Sequence, residues 1–185
     1  MESRESARRG IATHNFLQFF DIENLKAKGA KDELVRLIKD GFISEENSER
    51  VRLDEITLFE KSELFLDMQN AAKLYREFRF NVMLPAPLFT QNEDKKQALA
   101  DRKILLQGVI DCIIIDTDGN IHLVDYKTDR LTKAELSDKS LAQRSLAEKH
   151  SLQLYYYSLA IEKIFSKPPV SRRVYSLPLG DTVDV

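Results

Sequence analysis

The sequence predicts an α/β protein, a central mixed β-sheet flanked by helices, and three observations carry that prediction. Gln107 to Ile115 and Ile121 to Lys127 are β-branched, apolar runs on either side of Asp116-Thr117-Asp118-Gly119-Asn120, a strong hairpin signature. Leu141 to Phe165 carries Leu152, Tyr156, Leu159 and Ile164 at helical spacings and is stopped by Pro168-Pro169. Helical patterns also precede the hairpin, so helix, sheet and helix follow one another; element order alone leaves α+β open beside α/β.

Taken in order, Met1 to Arg9 is polar and charged, and residues 1–10 read as a linker or disordered tail, with one domain over residues 11–185. Ile11, Phe16, Leu17, Phe20 and Leu25 suit one broad helical face from Ile11 to about Lys28. A second helix is expected from Lys31 to Asp40, with Leu34, Leu37 and Ile38 inward and Gly41 at its end. Ser44 to Leu74 reads as further short helices, Ser44 and Ser62 each preceding acidic residues. Tyr75 to Leu84 alternates as a strand that Pro85 and Pro87 stop, and Gln91 to Arg102 is a charged connector. Both hairpin strands are apolar on both faces, which predicts a sheet covered on both sides. Ser171 to Leu177 and Leu179 to Val185 close the chain as a strand pair.

Composition removes several function classes. The 185 residues fit one domain, and 43% hydrophobic with 31% charged residues can fill a core. A net charge of −2 excludes a polycation, so any nucleic-acid contact is local. Dispersed basic pairs such as Arg8-Arg9, Lys95-Lys96, Arg102-Lys103 and Arg172-Arg173 suit either a strand-binding groove or a solvated surface. No apolar run approaches the roughly 18 residues of a membrane span, and no signal peptide opens the chain. The single cysteine, Cys112, makes no internal disulfide, four-cysteine zinc site or iron–sulfur cluster, and the expected setting is reducing and cytoplasmic. Neither a phosphate-cradling GxxxxGK[ST], nor GxGxxG, nor a GxSxG elbow is present.

The hairpin concentrates charge. With Thr117, Asp118 and Gly119 as a three-residue loop, Asp116 pairs with Asn120, partner numbers sum to 236, and Asp111 lies opposite Asp125. Lys127 then shares the Asp125 face while Tyr126 points away. A two-residue loop would send Asp111 to the other face. Like charges directly opposed are destabilising unless something neutralises them, and a hard divalent cation suits carboxylate oxygens. A nearby ammonium orients a water or neutralises charge developing on a phosphate. The alternative is two solvated strand-end carboxylates with Lys127 as a salt-bridge partner.

Gly108-Val109-Ile110-Asp111, Asp125-Tyr126-Lys127-Thr128, and Gln153-Leu154 with Tyr157 resemble the GxxD…DYKT…QLxxY series of RecB-type nucleases of the PD-(D/E)xK superfamily. Arg9-Gly10-Ile11-Ala12-Thr13-His14 with Leu17-Gln18 resembles that family's first motif, and Tyr75-Arg76-Glu77-Phe78-Arg79-Phe80 its E-x-[PR]-F strand. The motifs run in family order from about Gly10 to Ala160; within the family they are most similar to the C-terminal nuclease domains of AddA-type subunits of AddAB helicase–nucleases. One departure is His150, three residues before Gln153, where the family often has an aromatic.

The resemblance implies a restriction-endonuclease-like core in which His14, Asp111 and Asp125, with the Tyr126 carbonyl, ligate Mg²⁺, Mn²⁺ substituting. Asp111, Asp125 and Lys127 would be catalytic, and Glu77, Gln153 and Tyr157 supporting or DNA-binding. It further implies a DNA exonuclease domain acting on single strands in double-strand break repair. Its partners would be helicase domains of a parent polypeptide and an AddB-like partner subunit, with no membrane. The partner-type subunit of such complexes carries an iron–sulfur cluster; a chain with one cysteine does not, which favours the AddA-like side. By residue type alone, His14 is more often a packed or partly exposed helix histidine, Glu77 usually a solvated strand residue, and at least one of Tyr155, Tyr156 and Tyr157 core. Two other functions stay open: a catalytically silent docking module of a repair complex, and a stand-alone PD-(D/E)xK repair nuclease.

Overall fold

The computed structural model describes residues 2–185, with side chains from residue 5 onward except residue 6. Helices α1 (Glu2–Phe19), α2 (Ile22–Lys39), α3 (Glu45–Ser48), α4 (Leu53–Glu60) and α5 (Glu63–Gln69) come first. Strand β1 (Lys73–Pro85), a 3₁₀ turn (Ala86–Phe89), α6 (Glu93–Ala98), β2 (Lys103–Ile115) and β3 (Ile121–Lys127) follow. Helices α7 (Lys133–Ser137) and α8 (Lys139–Phe165) then lead to β4 (Ser171–Ser176) and β5 (Asp181–Asp184). The five strands form one sheet in sequence order, antiparallel except for β3 and β4, which α7 and α8 connect in parallel. This is the α/β class expected of the sequence.

The hairpin register is the expected one. Cys112 pairs with Val124 and Ile115 with Ile121, and the Asp116 N–H donates to the Asn120 carbonyl at 3.0 Å. Gly119 takes φ +76°, which closes the three-residue loop. The sheet is covered on both sides. Phe16, Phe20, Phe59, Phe65, Tyr126 and Tyr175 fill the side under the N-terminal helices. Phe80, Ile110, Ile113, Leu123, Leu154 and Ile161 fill the side under α8.

Several boundaries differ from those expected. The helix expected from Ile11 to Lys28 is broken between Phe19 and Ile22, because the Asp21 carboxylate caps α2 by accepting from the Asn24 N–H at 2.7 Å. The separation expected near Lys28 is a kink inside α2 at Gly29 (φ 80°, ψ 173°). Helix α1 runs upstream to Glu2, over most of the segment read as a tail; Met1 lies outside the described residues. The charged connector contains α6, capped by Asn92, whose side chain accepts from the Lys95 N–H at 3.0 Å. Strands β1 and β2 are both longer than expected, because each supplies the other's partners from Lys73↔Ile115 to Pro85↔Lys103.

Candidate metal centre

The site forms where two strands part. The ladder between β2 and β3 ends at Cys112↔Val124; beyond it β3 continues against β4, through Asp125↔Val174 and Lys127↔Ser176. The Tyr126 N–H donates to Asp111 Oδ2 at 2.7 Å instead of to a β2 carbonyl. Asp111 therefore stands in for the missing ladder partner, which fixes a buried carboxylate at the divergence of the strands.

Strand β1 delivers a second carboxylate by breaking its own alternation. Tyr75 and Phe78, three residues apart, both pack on the α8 side, their rings 5.5 Å apart and each against Phe165. Arg76 goes to the opposite side, where its guanidinium lies 4.1 Å from the Phe20 ring centroid and donates to the Phe20 carbonyl at 2.6 Å. The flip occurs at Glu77, whose φ of 49° is left-handed, while the register with β2 is the same before and after it. A non-glycine residue in that region costs about 1–3 kcal/mol and is a common mark of functional sites.

Helix α1 supplies the imidazole. His14 Nδ1 lies 3.5 Å from Asp111 Oδ1 and 3.8 Å from Glu77 Oε1. One ligand atom each from His14, Glu77 and Asp111 fall within 4.8 Å of one another. A cavity of about 430 Å³ opens onto them, walled on the helix side by Gly10, Ile11, Asn15 and Gln18.

Asp125 and Lys127 form the adjoining half, aimed at α8. Lys127 Nζ sits 2.5 Å from Asp125 Oδ2 and donates to Gln153 Oε1 at 3.0 Å. The Gln153 amide in turn donates to Asp125 Oδ1 at 3.2 Å and to the Tyr157 hydroxyl at 3.1 Å. Asp125 Oδ2 is buried without an aligned hydrogen bond, so its contact with Lys127 is one of charge.

The electrostatics describe a site short of positive charge. Burial, then the Asp111 charge, pushes the Asp125 carboxyl up to about 6 despite Lys127. Burial, then Asp111, also raises Glu77. Burial works against a charged His14, yet the Asp111 hydrogen bond and the charges of Asp111 and Glu77 outweigh it and raise its pKa. An imidazole and clustered carboxylates fit a divalent cation, which would remove this repulsion. Cys112 takes no part: its thiol is buried, and desolvation pushes it up to about 12.

The structure thus brings His14 and Asp111 together with Glu77, which the sequence placed only in support. Asp125 lies beside this group, held by Lys127 and Gln153, and Tyr157 reaches it through Gln153. Tyr126 adjoins the cluster through its backbone N–H, its ring being core and edge-on to His14 at 6.2 Å. The opposition of Glu77 to Asp111 was out of sequence reach, because the long connection from β1 to β2 leaves their register open.

A family model described as the PD-(D/E)XK nuclease superfamily matches residues 1–181. Among curated proteins, the chain is 31% identical over 180 residues to an ATP-dependent helicase/nuclease subunit from Ruminiclostridium cellulolyticum, covering 97% of this chain. It is 30% identical to the proteins of the same name from Bacillus cytotoxicus over 170 residues and Geobacillus kaustophilus over 180, covering 91% and 97% of this chain. The chain spans only 13% of the length of the first two relatives and 14% of the third.

Proposed function

We propose, from the fact that this chain belongs to the PD-(D/E)XK nuclease superfamily, that it hydrolyses phosphodiester bonds of single-stranded DNA in a divalent-metal-dependent reaction. The observation that carries this reading is the meeting of His14, Glu77 and Asp111 beside the Asp125–Lys127–Gln153 group. His14, Asp111 and Asp125, with Glu77 and the Tyr126 carbonyl, are the residues proposed to hold the cation, Mg²⁺ or Mn²⁺. The cation, when bound, would polarise the phosphate and lower the pKa of an attacking water. Lys127 is held at a fixed place by two partners, so its ammonium is pre-positioned to orient that water or offset charge on the phosphate, at no reorganisation cost during reaction. Gln153 keeps Lys127 and Asp125 in register, and Tyr157 restrains Gln153.

The relatives' names pair helicase with nuclease, which supports a role as the nuclease unit of a helicase–nuclease in DNA break repair. Helicase domains would deliver the strand, and a second, AddB-like subunit would complete the complex. A net charge of −2 gives little counterion-release drive, in keeping with a site to which a strand is fed.

The test is cleavage of labelled single-stranded DNA with Mg²⁺ or Mn²⁺, with and without a chelator, by the native chain, Asp125→Ala and Lys127→Ala. Chelation and Asp125→Ala should abolish cleavage, and Lys127→Ala should lose most of it with the fold retained. Cleavage by Lys127→Ala at the native rate in saturating metal would sink the reading.

A further inference from the structure

The residues just past β3 join that strand to two other elements of the site, α1 and α8. The Arg9 guanidinium of α1 donates to the Thr128 carbonyl, and Gly10 follows so closely that a Cβ there would lie 3.3 Å from Thr128 Oγ1. One residue on, the Asp129 carboxylate meets Lys149 and His150 of α8, the His150 Nε2 at 3.3 Å from Asp129 Oδ2. His150 stands three residues before Gln153, one turn away on the same helix, and Gln153 holds Lys127. The end of β3 and α8 are therefore tied at two places, at Gln153 through Lys127 and Asp125, and just past the strand at Asp129 through Lys149 and His150.

We propose that the Asp129–His150 contact is a latch that sets α8 against the end of β3 and so positions Lys127, an inference that rests on the hydrolytic function proposed for this site. Burial decides the role. His150 is 8% exposed, too enclosed to touch a DNA strand, so it is a positioning residue and not a catalytic one. Lys149 is the lesser partner, because its side chain is 58% exposed and water screens its pull. His150 Nε2 is buried and faces Asp129 Oδ2 at 3.3 Å, so water does not compete at the imidazole end of the contact. The His150 contact, followed by Lys149, holds the Asp129 carboxyl well below the usual carboxylate range. Asp129 is thereby the fixed anion to which α8 is referred.

Two amides read the latch without any need for activity. The Leu177 N–H donates to the Lys127 carbonyl at 2.9 Å, at the latched end of β3, and the Val170 N–H donates to the Ile121 carbonyl at 2.8 Å, at the other end. Hydrogen exchange of His150→Ala should show Leu177 exchanging about tenfold faster or more, with Val170 unchanged. Asp129→Asn should do at least as much, since it also frees Lys149, and the double variant no more than Asp129→Asn alone, His150 having then already lost its partner. His150→Gln, which keeps an N–H donor and fills the site, should restore much of the Leu177 protection. In cleavage assays His150→Ala should lower the maximal rate while Mn²⁺ affinity, measured by calorimetry, stays at the native value. Unchanged Leu177 exchange, or equal acceleration at both amides, would overturn the latch. A native chain that cleaves no DNA would instead defeat the proposed function, and the exchange result would still decide the contact.

Discussion

Glu77 shows how a single residue gives up backbone comfort to aim a carboxylate. Its left-handed φ turns the β1 alternation over, and its Oε1 ends 3.8 Å from His14. Glycine adopts that φ without strain, so Glu77→Gly should make the metal-free chain more stable by about 1 kcal/mol, the relief of strain exceeding the entropic cost of glycine. The same change should weaken Mn²⁺ binding; chemical denaturation and calorimetry measure the two effects. The neighbouring groups set a pH dependence. Asp125, Glu77 and His14 all have raised pKa values in the folded chain. Each contributes stability that is fully present below its unfolded pKa and is lost as pH rises through the folded one. With Asp125 at about 6, the melting temperature of metal-free protein should fall between roughly pH 4 and 6. Asp125→Asn should flatten that fall, and a profile unchanged by it would contradict the assignment. Asp116, lowered to about 2 by Asn120 and His122, works in the opposite sense but at more acid pH, so the two effects do not overlap.

Elements place these residues, and they differ in how far a sequence reveals them. The hairpin was legible from its turn to Cys112↔Val124, because Asp116 to Asn120 defines its own turn and the pairing follows by counting; the Asp111–Asp125 pair counted beyond it is absent from the ladder, since the strands part there and Asp111 accepts from the Tyr126 N–H. Helix ends with local caps at Ser44 and Ser62 were equally plain, each side chain accepting from the N–H three residues on. The break before α2 was not, because Asp21 interrupts an apolar pattern that runs on through Leu25. The pairing of β1 with β2 depends on which face each strand buries against distant helices, which no local signal records. Gly108 belongs to this scale. A Cβ there would meet the Phe80 ring at 3.0 Å and Tyr157 at 3.4 Å, so glycine lets β2 and α8 approach. Gly108→Ala should cost about 1–3 kcal/mol by overpacking. By displacing Tyr157 it should also loosen Gln153 and lower cleavage; a variant with native stability would show that α8 has room to give.

At the scale of the whole molecule, the sheet separates two cores, and the site lies where β2 leaves β3 between them. The N-terminal helices bring His14 from one side; α8 brings Gln153 from the other. Among the described residues no helix is long and apolar enough to cross a membrane. The grouping of Asp111, Asp125 and Lys127 was readable in advance because all three lie on one local hairpin. The His14–Glu77–Asp111 cluster was not, since the three residues come from three elements far apart in sequence and only the global fold unites them. Calorimetric titration of the native chain, His14→Ala and Asp111→Ala with Mn²⁺ tests that union most directly. Each substitution should weaken binding, Asp111→Ala the more because its carboxylate stands at the centre of the group. Native Mn²⁺ affinity in both variants would show that the cluster is no metal centre.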